Sequence, residues 1–274
     1  QTVAVDAKVI GLASAQKLPA ALDAKGVSLR TDIDLFAEVW ADRPTLPAAP
    51  VYEHEAPYAT QARADKLAQL RAAMQAQGAT HHLVSTLDDI AWLFNLRGSD
   101  VVYNPVFLAH ALTDARQALL FVAEGKADAA LRARLAADGV HIAPYPQAAA
   151  AVAALPVDAV LLLDPRRVTL ALREQVPGGV RVVEAINPST LAKSRKTAAE
   201  AAHVREAMIE DGAAMCEFYA WMEEALAPSR PHGPVTELTI DEQLSAARAR
   251  RAGFVGLSFS TIAGFNANGA MPHY

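Results

Sequence analysis

The fold class of this chain is decided by residues 106–122, which read VFLAHALTDARQALLFV. Two apolar runs of strand length, 106–112 and 118–122, lie on either side of the short polar segment 114–116, Asp-Ala-Arg. Two such runs joined by a few turn-forming residues predict a β-hairpin. The hairpin places an antiparallel strand pair near the middle of the chain, and the neighbouring segments decide what kind of sheet contains it.

Helices and strands alternate on both sides of this hairpin. Upstream of it, Leu67, Leu70 and Met74 have helical spacing, and Gly78 is placed to end that helix. The remaining pattern predicts strands at 80–86, 140–143 and 159–163, and helices at 87–96, 127–137 and 147–155. Strands that alternate with helices around a hairpin indicate an α/β fold in which helices flank a mixed sheet.

One pattern occurs twice along the chain. An apolar strand that ends in Asp6 is followed by a helix and by the strand-like segment 26–29, and the same order runs from the strand ending in Asp164 to segment 179–182. The repeat predicts that residues 1–40 are the tail of a domain duplicated in the middle of the chain. The alternative is that two unrelated βαβ units resemble each other, because this unit is common.

Two changes in composition divide the chain. Four prolines between residues 44 and 57 exclude a helix or a central strand there and predict a linker. The second change lies at 186–188, Ile-Asn-Pro, where an apolar strand pattern gives way to the cationic run 193–196. We interpret that run as a solvated approach to a helix.

The longest predicted helix opens the last part of the chain. Thr197 and Glu200 have the spacing of a capping box, in which each side chain accepts a backbone N–H of the first turn. Apolar residues at helical spacing then predict one apolar face through Leu226; they are Val204, Met208, Met215, Phe218 and Met222.

A second helix and a strand are predicted after it. Thr239 and Glu242 have the spacing of another capping box, which predicts a helix as far as Gly253. The alternation over 254–262 predicts a strand, and 265–274 is a glycine- and asparagine-rich loop that leads towards another strand.

Composition excludes several classes of protein. The chain has 274 residues, of which 52% are hydrophobic, with a net charge of -5 and one cysteine. These values argue against a disordered chain, a nucleic-acid binder and a disulfide framework. No apolar run approaches the length of a membrane span, and no signal peptide follows Gln1, so we expect a soluble, cytoplasmic protein.

Few residues are candidates for chemistry. The sequence lacks a His-Glu-x-x-His zinc motif, a glycine-rich phosphate loop and a Gly-x-Ser-x-Gly elbow. We interpret Cys216 as a small core residue, and Asp88 and Asp89 as first-turn charges of a short helix rather than a catalytic pair. His273 is the remaining candidate, because it follows an Asn-Gly turn and a proline in a loop.

Two stretches resemble a known family. Residues 87–100, LDDIAWLFNLRGSD, with YNPVF at 103–107, are similar to the middle-domain signature of three-domain Xaa-Pro aminopeptidases (aminopeptidase P). Residues 253–262, GFVGLSFSTI, with NGAMPHY at 268–274, resemble the same enzymes' entry into their catalytic domain. That catalytic domain has the "pita-bread" fold shared with creatinase, prolidase and methionine aminopeptidase.

The resemblance implies a domain order. Residues 1–57 would be the tail of a first creatinase-like domain with its proline-rich linker, and 58–187 a second creatinase-like α/β domain. Residues 188–274 would begin the pita-bread metallopeptidase domain. The chain is then expected to be a segment of a longer protein.

The resemblance also implies an activity. The intact enzyme would remove an N-terminal residue that precedes proline, using two divalent ions, typically manganese, held by two Asp, one His and two Glu. Those ligands are expected to follow Tyr274, and none of them is expected in this chain. The 274 residues alone should therefore be inactive. His273 matches a histidine that contacts bound peptide and is not a metal ligand.

The remaining expectations concern partners and two signature residues. The resemblance implies peptide substrates with proline at the second position and a homodimer when intact, with no nucleic acid or membrane as partner. Arg97 and Asp100 match signature positions, and we interpret them as forming an ion pair or fixing a loop.

Two alternatives stay open. The protein could be a non-catalytic, peptide- or protein-binding relative of the pita-bread fold, or a prolidase- or creatinase-like enzyme with another substrate. The close match around His273 favours the enzyme over the first alternative, and the additional signature domain argues against the second.

Overall fold

The computed structural model describes residues 1–229 and 233–271. It divides into two compact units: Gln1–Asp100 with Pro105–Arg195, and Val101–Asn104 with Lys196–Tyr274. Among the described residues, no helix is both long enough and apolar enough to cross a bilayer.

The first unit contains both strands and helices. Its strands are β1 (Thr2–Ala4), β2 (Ser28–Arg30), β3 (Tyr52–Glu53), β4 (His81–Val84), β5 (Leu96–Arg97), β6 (Ala109–Thr113), β7 (Ala118–Val122), β8 (Val140–Pro144), β9 (Val160–Leu163) and β10 (Arg181–Glu184). Its helices are α1 (Leu12–Asp23), α2 (Leu35–Val39), α3 (Arg63–Ala76), α4 (Leu87–Leu93), α5 (Ala129–Ala137), α6 (Gln147–Ala153), α7 (Leu170–Glu174) and α8 (Pro188–Ser194).

A six-stranded mixed sheet forms the centre of this unit, in the order β10-β9-β4-β6-β7-β8. Strand β6 is antiparallel to both of its neighbours, whereas the other pairs are parallel. The predicted hairpin is confirmed: Asp114 follows the last residue of β6, and its carboxylate accepts the N–H groups of Arg116 and Gln117. The predicted α/β fold with a mixed sheet and flanking helices is likewise confirmed.

Helices cover both faces of the sheet. Successive residues of a strand point to opposite faces, so Leu120 of β7 belongs to one apolar cluster and Phe121 to the other. Residues of α3, α4 and α5 fill the first cluster, and residues of α6 and α7 fill the second. The sheet is thus a middle layer that is buried on both sides.

The two βαβ repeats contact each other through equivalent residues, as two subunits related by a two-fold axis would. A shift of 158 residues converts Asp6 into Asp164 and Leu12 into Leu170. The Leu12 N–H donates to the Val168 carbonyl at 2.9 Å, and the equivalent Leu170 N–H donates to the Ile10 carbonyl at 3.0 Å.

A second pair of hydrogen bonds obeys the same shift. The Ala13 N–H donates to the Pro165 carbonyl at 2.8 Å, and the Ala171 N–H donates to the Ala7 carbonyl at 2.9 Å. The turns also match, since Asp6 accepts the Lys8 N–H as Asp164 accepts the Arg166 N–H. Each repeat therefore donates hydrogen bonds to the other from equivalent residues. Such reciprocal contacts are those of an isologous interface, which here is formed within one chain.

The second unit contains helices α9 (Ala198–Ala225) and α10 (Glu237–Ala249) and the 3₁₀ helix η1 (Asn266–Ala270). The predicted capping box of Thr197 and Glu200 is confirmed. The second predicted box was wrong: α10 is capped by Thr236, whose N–H donates to the Thr239 hydroxyl. A threonine hydroxyl can replace the usual Glu as acceptor, so the helix begins three residues earlier than predicted.

Two further predictions in this unit, those for Cys216 and for residues 254–262, were wrong. Cys216 is exposed, because the buried residues of α9 are Ala214, Phe218 and Ala225 and a residue two positions from Ala214 points away from them. Val204 and Met208, which lie on the predicted apolar face of α9, are exposed as well. Residues 254–262 form no strand, since their backbone groups have no ladder partner among the described residues.

Candidate functional site

The sequence-predicted site residue, His273, lies outside the described residues. The loop that leads to it is described as far as Met271. The 3₁₀ helix η1 shapes this loop, and Asn266 has a positive φ of 50°, which asparagine adopts more readily than most residues. A Cβ added to Gly264 would lie 3.0 Å from the Cα of Gly269, so the loop closes on itself at a glycine.

One carboxylate binds this loop from helix α10. Glu237 Oε1 accepts the backbone N–H of Phe265 at 2.7 Å and the Asn268 side-chain amide at 3.1 Å. Its Oε2 lies 3.3 Å from the same Asn268 nitrogen. Sequence analysis missed Glu237, because its spacing fits no catalytic or capping motif.

The signature residue Asp100 forms a fully buried ion pair. Its Oδ1 lies 2.6 Å from Lys126 Nζ, and neither side chain is exposed to solvent. Asp100 Oδ2 also accepts the Leu108 N–H at 2.8 Å, while Lys126 Nζ donates to the Ala49 carbonyl at 3.0 Å. The ion-pair interpretation of Asp100 is confirmed, with Lys126 as the partner, and the pair joins the proline-rich segment to the signature loop.

The other signature residue, Arg97, binds the end of helix α4. Its Nη1 donates to the carbonyls of Ala91 and Leu96, each at 2.9 Å. Burial lowers the pKa of the Arg97 guanidinium. Arg97 therefore has the loop-fixing role, through backbone carbonyls and not through Asp100.

Two more buried cations hold the same helix end. Lys66 Nζ donates to the Trp92 carbonyl at 2.8 Å and lies 4.3 Å from the centroid of the Trp92 ring. Arg63 donates to the Phe94 carbonyl at 2.7 Å and pairs with Glu53. Cations complement the negative end of a helix dipole and satisfy its last carbonyls. Three cationic side chains thus bind backbone carbonyls at this end of α4.

Helix α4 is also fixed at its first turn. Asp89 is fully buried and, with the half-exposed Asp88, pairs with Lys193. Three side chains around α8 also donate to Asp89 Oδ2; they are Asn187, Ser189 and Thr190. Burial would raise the pKa of Asp88, but the Lys193 ammonium outweighs it and holds that pKa below its usual range. These first-turn charges therefore bind helix α8. The sequence pattern predicted neither this helix nor its contact with α4.

One buried histidine, His82, and one half-buried histidine, His110, lie in the sheet. Burial lowers the pKa of His82 and of His110 to about 4. His82 Nδ1 lies 2.9 Å from the Leu162 carbonyl, and His110 Nδ1 lies 2.8 Å from the Ser85 hydroxyl. Both are neutral at pH 7 and act as parts of the packed sheet.

The His, Cys, Asp and Glu side chains of the described residues lie apart from one another or are paired with cations. Within 1–229 and 233–271, no group of three or more His, Cys, Asp and Glu side chains is arranged to hold a metal ion. The carboxylates described above are paired with arginine, lysine or backbone N–H groups instead. The described residues therefore do not fit the ligand set that the resemblance implies.

Comparison with known proteins gives two family matches. Residues 42–200 match the creatinase/prolidase N-terminal domain family, and residues 202–274 match metallopeptidase family M24. A probable Xaa-Pro aminopeptidase P of Talaromyces marneffei is 35% identical, over 100% of this chain and 43% of its own length. The corresponding protein of Sordaria macrospora is 34% identical, over 100% of this chain and 46% of its own.

A solved structure with a similar fold matches this chain over its whole length. It is an X-prolyl aminopeptidase of Caenorhabditis elegans, a cytosolic enzyme with a di-nuclear active site. The TM-score is 0.89 at 25% identity, and the match covers 100% of this chain and 45% of the other. The chain thus spans less than half the length of these curated relatives and of the Caenorhabditis elegans enzyme.

Proposed function

The chain belongs to the creatinase/prolidase N-terminal domain family, and from that premise we propose that it is part of a metal-dependent Xaa-Pro aminopeptidase. One observation carries the proposal: similarity to Xaa-Pro aminopeptidases extends over the whole chain, at 35% identity to the Talaromyces marneffei protein. The M24 match over residues 202–274 supports a metallopeptidase for the second unit.

In this proposal the chain contains parts of three domains. Residues 1–57 are the tail of a first creatinase-like domain and its linker, and residues 58–187 are a second such domain. Residues 188–274 begin the catalytic domain. The reciprocal contact between the repeats of Asp6 and Asp164 supports a duplication, because unrelated βαβ units need not share turn and hydrogen-bond geometry.

The proposed reaction is hydrolysis of the bond between an N-terminal residue and proline. The nitrogen of that bond carries no hydrogen, so a site that requires an N–H would exclude it. In this proposal the enzyme uses two divalent ions, preferably manganese, whose ligands lie outside this chain. Within residues 1–229 and 233–271, no group of three or more His, Cys, Asp and Glu side chains could hold a metal ion. In this proposal His273 contacts the bound peptide. The loop that precedes it is described as far as Met271 and is bound by Glu237 of α10.

Substrates are peptides with proline in the second position, and the intact enzyme is a cytoplasmic homodimer. The description of the Caenorhabditis elegans enzyme as cytosolic supports the location. Nucleic acid and membranes are not expected as partners, since the chain carries a net charge of -5.

The test compares peptides that differ in one residue. The full-length protein that contains this chain, loaded with Mn²⁺, should release the first residue of Ala-Pro-Ala and leave Ala-Ala-Ala intact. The 274-residue chain alone should release nothing. Cleavage of the dipeptide Ala-Pro but not of Ala-Pro-Ala would indicate a prolidase, and no cleavage with Mn²⁺, Co²⁺ or Zn²⁺ would indicate a non-catalytic relative.

A further inference from the structure

One face of the small β3–β5 strand pair carries three aromatic rings and an arginine. Tyr52 of β3 and Arg97 of β5 are directly opposite each other in the antiparallel ladder, so their side chains lie on the same face. His54 follows on that face, because it lies two residues after Tyr52 and its N–H continues the ladder to the Asn95 carbonyl at 2.9 Å. The His54 ring stacks on that of Tyr58, with 6.3 Å between the ring centroids. Tyr52, His54, Tyr58 and Arg97 together are called the β3–β5 face below.

The Arg97 guanidinium uses only part of its hydrogen-bonding capacity. A guanidinium donates from Nε, Nη1 and Nη2, and here Nη1 donates to the carbonyls of Ala91 and Leu96. Within residues 1–229 and 233–271, neither Nε nor Nη2 has a hydrogen-bond acceptor, and no carboxylate forms an ion pair with Arg97. The Nε–Nη2 edge is therefore open, and this planar edge matches the two oxygens of a carboxylate.

The acidic residue of the same strand lies on the opposite side. Glu53 alternates with Tyr52 and His54 along β3, so its side chain points to the other face. There it pairs with Arg63 and with Arg134, each at 2.5 Å. Glu53 is thus neutralised by two arginines and is not available to Arg97.

The charge on the β3–β5 face is positive. Burial lowers the pKa of His54, and the Arg97 guanidinium and the Lys66 ammonium lower it further. Against these effects stands a hydrogen bond with the Tyr58 backbone, which raises the same pKa. Arg97 itself is half-buried, and a cation that is removed from water without a counter-ion is costly. A bound anion would offset that cost.

The aromatic rings on this face are within reach of a ligand. Tyr52 is 45% exposed and Tyr58 is 60% exposed. Aromatic rings beside a cationic group suit a ligand that combines a negative charge with an apolar body, since the rings supply contact area and the cation fixes the orientation.

We propose that the β3–β5 face binds an organic carboxylate. The Nε–Nη2 edge of Arg97 receives the two carboxylate oxygens, and the rings of Tyr52, His54 and Tyr58 contact the apolar group that bears the carboxylate. Inorganic phosphate also fits an arginine edge, but it offers the rings no apolar surface. Such binding requires no peptidase activity.

Titration calorimetry of the full-length protein that contains this chain provides the first test. N-acetylphenylalanine should bind about tenfold more tightly, or better, than N-acetylphenylalaninamide, which has the same ring but no charge. Equal binding of the two compounds, or binding of neither, would overturn the proposal. Inorganic phosphate is the third ligand, and if it binds as tightly as N-acetylphenylalanine, the site selects inorganic anions and the carboxylate assignment is wrong.

Two arginine variants locate the binding. Arg97→Lys keeps a positive charge but removes the planar edge, and it should weaken the binding of N-acetylphenylalanine by about tenfold. Arg134→Lys is the matched control, because Arg134 pairs with Glu53 on the opposite side of the strand. It should leave the affinity unchanged. An affinity in Arg97→Lys equal to that of the unmutated protein would overturn the proposal.

A tyrosine pair tests the contact with the rings. Tyr58→Ala should weaken the binding of N-acetylphenylalanine by about threefold or more, whereas Tyr219→Ala, at a tyrosine of α9 that is 54% exposed, should not change it. Equal affinities in these two variants would contradict the proposed site. If Arg97→Lys fails to fold, the tyrosine pair and the amide comparison decide. A full-length protein without peptidase activity would refute the proposed function and leave all of these binding measurements valid.

Discussion

Gly11 and Thr169 face each other across an antiparallel bridge, and the 158-residue shift that relates the two repeats converts one into the other. Each is the residue immediately before a helix, with extended backbone angles: φ -67° and ψ 142° for Gly11, φ -83° and ψ 158° for Thr169. The position therefore does not require glycine, although one repeat has it.

Replacing Gly11 by threonine should stabilise the protein. Its φ is accessible to any residue, and an added Cβ meets no atom within 4 Å. Reduced freedom of the unfolded chain should add about 0.4–1 kcal/mol to the free energy of unfolding, measured with urea. The control is Gly26→Thr, where φ is +64° and the change should destabilise. The same sign for both variants would contradict the equivalence of the two repeats.

Breaking the buried pair of Asp100 and Lys126 should be costly. Lys126→Met leaves a carboxylate with no ammonium partner in a site closed to solvent, which should lower the free energy of unfolding by about 3–5 kcal/mol. Arg30→Met, in an exposed pair with Asp32, should leave the urea midpoint unchanged. Adding Asp100→Asn to Lys126→Met should recover part of the loss, and purely additive effects would argue against the pair.

Acid should destabilise the first unit through His82. Its pKa is about 4 when folded and about 6.5 when unfolded, so the unfolded chain binds a proton first as pH falls. The stabilising contribution is complete above about pH 6.5 and lost towards pH 4, in total roughly 3 kcal/mol. His82→Asn, which can still donate to the Leu162 carbonyl, should flatten this dependence. His141→Asn, at an exposed histidine, should leave the dependence of the free energy of unfolding on pH unchanged. If this dependence has the same slope in both variants, His82 is not its source.

The two neighbouring aspartates at the start of α4 should contribute differently to the free energy of unfolding. Asp89→Asn removes the charge that three donors and Lys193 bind in a buried site, which should cost roughly 1–3 kcal/mol. Asp88→Asn affects a side chain that is 51% exposed and should cost less than about 1 kcal/mol. Thermal unfolding of the two variants measures the difference. Equal losses would mean that burial does not separate the two sites.

Local patterns predicted the parts of the fold that depend on local chemistry. The hairpin at Asp114 and the cap at Thr197 are decided by residues within a few positions of each other, and both were confirmed. The failure at 254–262 has a matching cause. Alternation reports what a strand would bury, but a strand also needs a partner for its N–H and C=O groups, which no local pattern contains.

The contacts of the candidate site depend on residues that are distant in sequence. Asp100 and Lys126 are 26 residues apart, and Glu237 and Phe265 are 28 apart. Neither pair has a spacing that predicts contact on one helix or strand. The resemblance identified Asp100 as a signature position but could not supply its partner, because only the folded chain brings the two together.

The reciprocal bonds between the two repeats have a consequence for how the first unit responds to its surroundings. An isologous contact between separate subunits weakens on dilution, whereas one within a single polypeptide has a local concentration set by the connecting chain. The four hydrogen bonds at Leu12, Ala13, Leu170 and Ala171 therefore persist at any protein concentration. A single substitution in one repeat makes the two sides of this contact unequal. In a homodimer this cannot happen, because every substitution is present in both subunits.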